Sequence, residues 1–315
     1  MLITLAFTVA LLSGCGKVSV PRQEEAYKPL SFSAAQASNA FQNVKDFVGS
    51  CTPRDAGTPG AEKAANWLKD RLSAKGFDVT LDRFTDPTPR GEKSFFNVLA
   101  TLPGTGDEWV VLLSHFDTMS GIGEGFQGAN DGGSSTGLLL ELAAVIRASS
   151  PQPLNVLCAF LDGEECMLAY SERDGFHGSK HLAQQLKKRG MNIRAVILTD
   201  MVGDRDLKLT VPRNSTASLR VLALTAAETT GDRDKIGLFD GYVYDDHQAF
   251  LELGYPAVNL IDFCYGSRPG ENDFWHTEKD TLDKLSADSL LVTGRIVLEM
   301  LNRLSLSPAP ARRTR

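Results

Sequence analysis

Residues 154–165 read LNVLCAFLDGEE: eight uncharged residues, then an acid, a glycine and two adjacent glutamates. An apolar run of that length fits a strand buried on both faces, the kind found in parallel sheets covered by helices. Glu164 and Glu165 stand side by side at its end. Adjacent like charges raise each other's pKa and gain nothing from packing, so the pair asks for a purpose: a metal site, an acid/base pair or a solvated loop.

Working outward, the same arrangement recurs. After WVVLL (109–113) come Ser114, His115, Phe116 and Asp117; after RAVILT (194–199) comes Asp200; after AVNLI (257–261) comes a loop ending in Trp275 and His276. A long helix over about 134–148 is preceded by a glycine-rich turn, Gly128 to Gly133, holding Asp131. Further strand-like runs lie near 78–84 and 95–102. Helical spacing appears from Pro59 to Gly76 and near 179–188, 217–229, 247–253 and 283–304. This alternation predicts an α/β domain, a mixed and mostly parallel central sheet covered on both faces. Ligands in such sheets bind beyond the carboxyl ends of the strands, where five segments here deliver His, Asp and Glu. Any one of these residues could be a turn or cap residue. Together, carboxylates and imidazoles around a glycine-rich approach suit zinc held through N and O atoms.

The 315 residues carry 33 basic and 39 acidic side chains, a net charge of −6, which argues against a nucleic-acid partner because phosphate binding needs a concentrated positive field. Residues 2–14 are apolar, uncharged and too short to span a bilayer as a mature helix; they run into Cys15. Leu12-Ser13-Gly14-Cys15 resembles a bacterial lipobox. The expectation is therefore export as a lipoprotein, residues 1–15 being the signal segment and a lipidated Cys15 the only membrane contact. Residues 16–35, with Pro21 and Pro29, read as a tether, 36–306 as one folded domain, and 307–315 as a disordered tail. Cys51, Cys158, Cys166 and Cys264 are too sparse for a disulfide framework.

Three segments carry a family likeness: DGEECMLAYSERDGFHGSKHLA (162–183), YDDHQAF (244–250) and FWHTEKDTLDKL (274–285). Together with the entry around Arg54 to Gly60 they resemble the zinc-dependent glutaminyl cyclases, which share their fold with the two-zinc bacterial aminopeptidases. The resemblance covers nearly the whole domain. It implies a three-layer α/β/α catalytic domain, a zinc triad of Asp131, Glu165 and His276, and Glu164 as proton shuttle. It further implies a network of Glu164 with Asp200 and Asp245, and Trp275 and Tyr170 beside the substrate, the N-terminus of a peptide or protein. Tyr170 replaces the tryptophan usual in those cyclases, and Asn259 stands where some have histidine. The aminopeptidases bind a second zinc through the positions of His115, Asp200 and a shared Asp131, all present here, so one ion or two remains open.

Both reactions are chemically accessible to these residue types. Cyclising an N-terminal glutamine needs its amine to attack its own side-chain amide, a tethered attack that one Lewis-acidic metal and one proton carrier can serve. Hydrolysis by an aminopeptidase instead needs an activated water, which the same glutamate could provide. A catalytically silent binding protein would lack a ligand or the base, and none is missing. Gly133-Ser-Ser135-Thr-Gly137 matches the serine-hydrolase elbow, but no strand leads directly into it. Gly121-Ile-Gly123-Glu-Gly125 lacks the strand and helix of a dinucleotide fingerprint. His177 and His181 read as packing residues, and Asp246 as a helix cap.

Overall fold

A computed structural model describes residues 27–307. In chain order its elements are α1 (Ala34–Cys51), α2 (Pro59–Ala74), β1 (Asp78–Thr88), β2 (Gly91–Leu102), β3 (Trp109–His115), α3 (Gly133–Ala148), β4 (Asn155–Leu161), α4 (His177–Lys188), β5 (Ile193–Asp200), β6 (Leu209–Pro212), α5 (Ala217–Thr230), β7 (Ile236–Phe239), α6 (His247–Glu252), β8 (Ala257–Ile261) and α7 (Ala287–Leu306). The eight strands form one sheet in the order β1-β2-β4-β3-β5-β8-β6-β7. Its centre, β4-β3-β5-β8, is entirely parallel, and antiparallel pairs join β1 to β2, β2 to β4 and β6 to β8.

Every residue of β4 is buried, as its unbroken apolar run requires. Successive side chains point to opposite faces. Val156, Cys158 and Phe160 pack with α1, α2, α3, α5 and α7, whereas Leu157, Ala159 and Leu161 pack against α4 and α6. The architecture is thus three-layered, α/β/α, with a thicker helical layer on one face. Helices α1 and α3 approach closely at Gly137: a Cβ there would meet the Val44 side chain and lie 2.7 Å from the Val44 nitrogen.

The folded region starts earlier than the expected boundary at residue 36. Leu30 and Phe32 are buried, the Tyr27 hydroxyl donates to Asn302 Oδ1 at 2.6 Å, and Asn302 also exchanges hydrogen bonds with the Leu30 backbone. Two apolar residues in a proline-containing stretch carry no periodicity, which is why the segment reads as a tether although it packs on α7. The signal segment and Cys15 lie outside the described residues, as do 308–315. Three elements go unnamed in the sequence reading. In α1 the buried Ala37, Ala40, Val44, Phe47, Val48 and Cys51 have helical spacing diluted by alanine and by Ser, Asn and Gln. Strands β6 and β7 are four residues each, too short to show a period. None of Cys51, Cys158, Cys166 and Cys264 is bridged.

Candidate active site

Strand register places the chemistry. His115 pairs with Leu161, and Asp200 with Ile261, so β3, β4, β5 and β8 end in step and their following loops share one edge. Asp131 arrives from the turn before α3. Gly132, which follows it, has φ +73°, and a Cβ there would lie 2.9 Å from the Asp117 carbonyl and 3.0 Å from the His115 ring. Glycine is what lets the turn seat against β3.

Two donor groups result. His276 Nε2 lies 3.1 Å from Glu165 Oε1 and 3.4 Å from Asp131 Oδ2. His115 Nε2 lies 3.2 Å from Asp131 Oδ1 and 3.1 Å from Asp200 Oδ1. Within each group the potential ligand atoms are mutually within 4.8 Å, and Asp131 belongs to both. Asp131 Oδ2 is buried and has no hydrogen bond of good geometry, only the ion-pair contact with His276 Nε2 at 3.4 Å, which leaves this oxygen available to a cation. Three side chains offering N and O atoms, with the neighbouring group sharing one carboxylate, fit one or two divalent metal ions of the zinc type.

The main chain around these residues is held by other side chains. Asp117 accepts the backbone N–H of Glu164 at 3.2 Å and of Glu165 at 3.1 Å, one on each oxygen. Asp280 does the same for Asn130 (2.8 Å) and Asp131 (3.1 Å), and also accepts the Tyr265 hydroxyl at 2.7 Å. Arg54, completely buried, donates to the carbonyls of Phe116, Gln127 and Gly128, tying the end of β3 to the turn before α3. The Tyr170 hydroxyl donates to Glu165 Oε2 at 2.9 Å and reaches Glu164 Oε2 at 3.4 Å. Trp275 stacks on the His276 ring with centroids 3.9 Å apart.

Burial and mutual repulsion shape the charges. Burial first, then Glu165, with Asp245 and Asp246 adding to it, holds the Glu164 carboxyl well above the ordinary carboxylate range. Glu165 is pushed up to about 7 by burial and by Asp131. Asp245 and Asp200 are raised too, chiefly by burial. Burial would lower His276, but its hydrogen bonds to Asp131 and Glu165 outweigh this and raise it to about 10. Metal binding must therefore displace a proton from His276, whereas Asp131, despite its burial, is held below the ordinary carboxylate range by its contacts with His115 and His276 and is already bare. Asp245 joins Glu164 and Asp200 through proximity of charge, while its hydrogen bonds come from Asn259 Nδ2 at 2.6 Å and the Asp246 N–H.

Asp131, Glu164, Glu165, Tyr170, Asp200, Asp245, Trp275 and His276 all line one cavity of about 310 Å³. Its remaining wall is apolar and mostly aromatic, with Phe239 at the end of β7, Tyr242, Val243 and Tyr244 from the loop that follows, Ile261 at the end of β8 and Phe263 just beyond it. These aromatics escape the sequence reading because their spacing follows neither a helical nor a strand period. Asp117 and Asp280 offered one, each lying close in sequence to a candidate ligand.

Ser134 and Ser135 are buried in the first turn of α3, bonded to the carbonyls of Asn130 and Gly132, so no serine elbow exists there. His177 and His181 stack on Phe95 and Phe84 and pair with Asp86 and Asp82. Asp246, expected as a helix cap, holds the cap position of α6 but makes no capping hydrogen bond. Its side chain is fully buried, and burial pushes its carboxyl up to about 7.

Residues 97–301 match the model of peptidase family M28. A glutaminyl-peptide cyclotransferase of Drosophila melanogaster is 26% identical over 78% of this chain and 76% of its own. The crystal structure of an Acidobacteriales bacterium glutaminyl cyclase is 35% identical, with a TM-score of 0.82 over 91% of this chain and 98% of that one. A Zn-dependent exopeptidase from Parabacteroides distasonis has the same fold, with a TM-score of 0.76 at 23% identity over 87% of this chain and 99% of its own.

Proposed function

The chain belongs to peptidase family M28, and from that premise we propose that it is a zinc-dependent glutaminyl-peptide cyclotransferase, converting N-terminal glutamine of peptides to pyroglutamate and releasing ammonia. What carries the reading is the likeness to glutaminyl cyclases, which runs through nearly the whole domain, around a cavity that Glu164 lines together with Asp131, Glu165 and His276. Asp131, Glu165 and His276 would hold the zinc, which when bound supplies a Lewis acid for the side-chain amide carbonyl.

The rest is done by the chain's own residues. Glu164 takes a proton from the substrate's α-amine as the new C–N bond forms, and gives it to the departing nitrogen as the old C–N bond breaks. The proton count closes with ammonia as the only leaving group. Burial of Glu164 suits it to this, because a carrier works best when its pKa lies nearer the operating pH than that of a free carboxylate. Asp200 and Asp245, buried alongside, favour retention of a proton in the group as a whole. Tyr170 orients the two glutamates through its hydroxyl, and Trp275 flanks the substrate while steadying the His276 ring.

A second reading, a two-zinc aminopeptidase, has one observation in its favour: the His115, Asp131 and Asp200 group is also complete. Ammonia release from a glutaminyl peptide, assayed beside amine release from aminoacyl anilides, separates the two. Cyclisation predicts the first alone; anilide cleavage without ammonia overturns it. Elemental analysis should give at least one zinc per chain, and catalytically active metal-free protein would end the proposal. We also propose attachment to a bacterial envelope through Cys15, supported by the 2–15 sequence; labelling with a radioactive fatty acid should disappear in Cys15→Ala.

A further inference from the structure

A second cavity, of about 610 Å³, adjoins the one that holds the donor groups. Tyr170 and Tyr244 line both. The hydroxyl of Tyr170 bonds Glu165 on the reactive side, while its ring stacks on Phe176, a lining residue of the second cavity, at 5.1 Å. Tyr170 is therefore the partition between the two spaces, polar where the chemistry lies and apolar beyond it. We propose that the second cavity is a subsite for the side chains that follow the N-terminal residue of the peptide substrate, and that it selects aromatic or large aliphatic side chains there. This rests on the cyclotransferase reading.

Three observations point to that occupant. First, an extended peptide advances about 3.3–3.6 Å per residue, so a chain whose first residue fills the smaller cavity passes the Tyr170–Tyr244 wall within its next two residues. Second, the aromatic rim there is uncovered: Tyr244, which borders both cavities, is 70% exposed, and Tyr242, beside it on the smaller cavity, is 63% exposed. Contiguous exposed aromatic surface beside a reactive cavity marks where another chain lies. Third, the charges select against an acidic side chain. The Lys180 ammonium is already engaged by the carbonyls of Glu172 and Gly175, and the other charged lining groups, Glu172 and Glu252, are acidic. Ala249, a small residue on α6, leaves the room.

The test measures ammonia release from Gln-Gly-Gly-amide, Gln-Phe-Phe-amide and Gln-Glu-Glu-amide. Burial of one large apolar side chain predicts that kcat/KM for the phenylalanine peptide exceeds that for the glycine peptide by about tenfold, with the glutamate peptide below both. Gln248→Trp fills the cavity from α6 and should bring the phenylalanine and glycine peptides within about twofold of each other, with turnover of the glycine peptide unchanged. Glu252→Trp, at an exposed position where folding is not at stake, fills the same space and should do likewise. If wild-type protein turns over the glycine peptide but treats all three alike, or if both tryptophan variants keep the preference, the subsite is refuted and the cyclotransferase reading stands. No ammonia from any of the three sinks that reading and the subsite with it.

Discussion

Replacing Asp117 by Asn keeps the shape of the side chain and removes one acceptor. In the wild type each Asp117 oxygen takes one buried backbone N–H, from Glu164 and from Glu165. Asparagine can accept only one of these, and its NH2 group then faces the other N–H, donor against donor. The orphaned donor costs about 1–3 kcal/mol and the surviving bond loses its charge assistance, so the variant should be destabilised by about 2–4 kcal/mol. In a domain of this size that is a fall in Tm of roughly 3–7 °C. The functional effect should be larger than the loss of stability suggests, because the displaced segment carries both Glu164 and Glu165. A shift of order 1 Å in a reacting group costs about 100-fold in rate. Calorimetric melting of the metal-free protein and kcat/KM for ammonia release measure the two separately. A variant melting within a degree of wild type at unchanged kcat/KM would show that Asp117 does not set the position of this segment.

Glu164→Gln should keep the metal content of wild type and lose about 100- to 10,000-fold in kcat, and retained turnover would remove Glu164 from proton transfer. Asp131→Ala, which takes one member from both donor groups, should lower zinc content more than His115→Ala, read by elemental analysis after dialysis; equal losses would contradict the sharing. Gly137→Ala gains helix propensity yet must push α1 away from α3, so it should destabilise by about 1–3 kcal/mol in urea unfolding, and a stabilised variant would contradict the close approach. Burial lowers His247 from its ordinary 6.5 to about 4, so it is neutral in the fold and its contribution is complete above pH 6.5. As pH falls from 6.5 to 4 the unfolded chain takes up the proton first, removing about 3 kcal/mol, and His247→Gln should lose this part of the acid dependence.

The centre of the fold was legible because buried parallel strands have to be apolar throughout. Residues 109–115 and 154–161 announce themselves for that reason, and the acids at their ends stand out against them. The ligand groups were legible by the same contrast, helped by family likeness. What escaped lacks a periodic cause. Arg54 is a buried cation satisfied by carbonyls of distant segments, and no local pattern distinguishes it from a surface arginine. Asp246 reads as a cap because caps favour Asp, while its burial depends on how α4 and α6 meet the sheet. Leu30 and Phe32 needed α7 to be seen as core.

Asp117 and Asp280 grip peptide N–H groups, which every residue but proline possesses, and leave free the side chains those peptides bear. Positions 131, 164 and 165 can therefore change identity without the loops collapsing. A scaffold of this kind can trade one reaction for another, or fall silent, through single substitutions that leave its backbone in place.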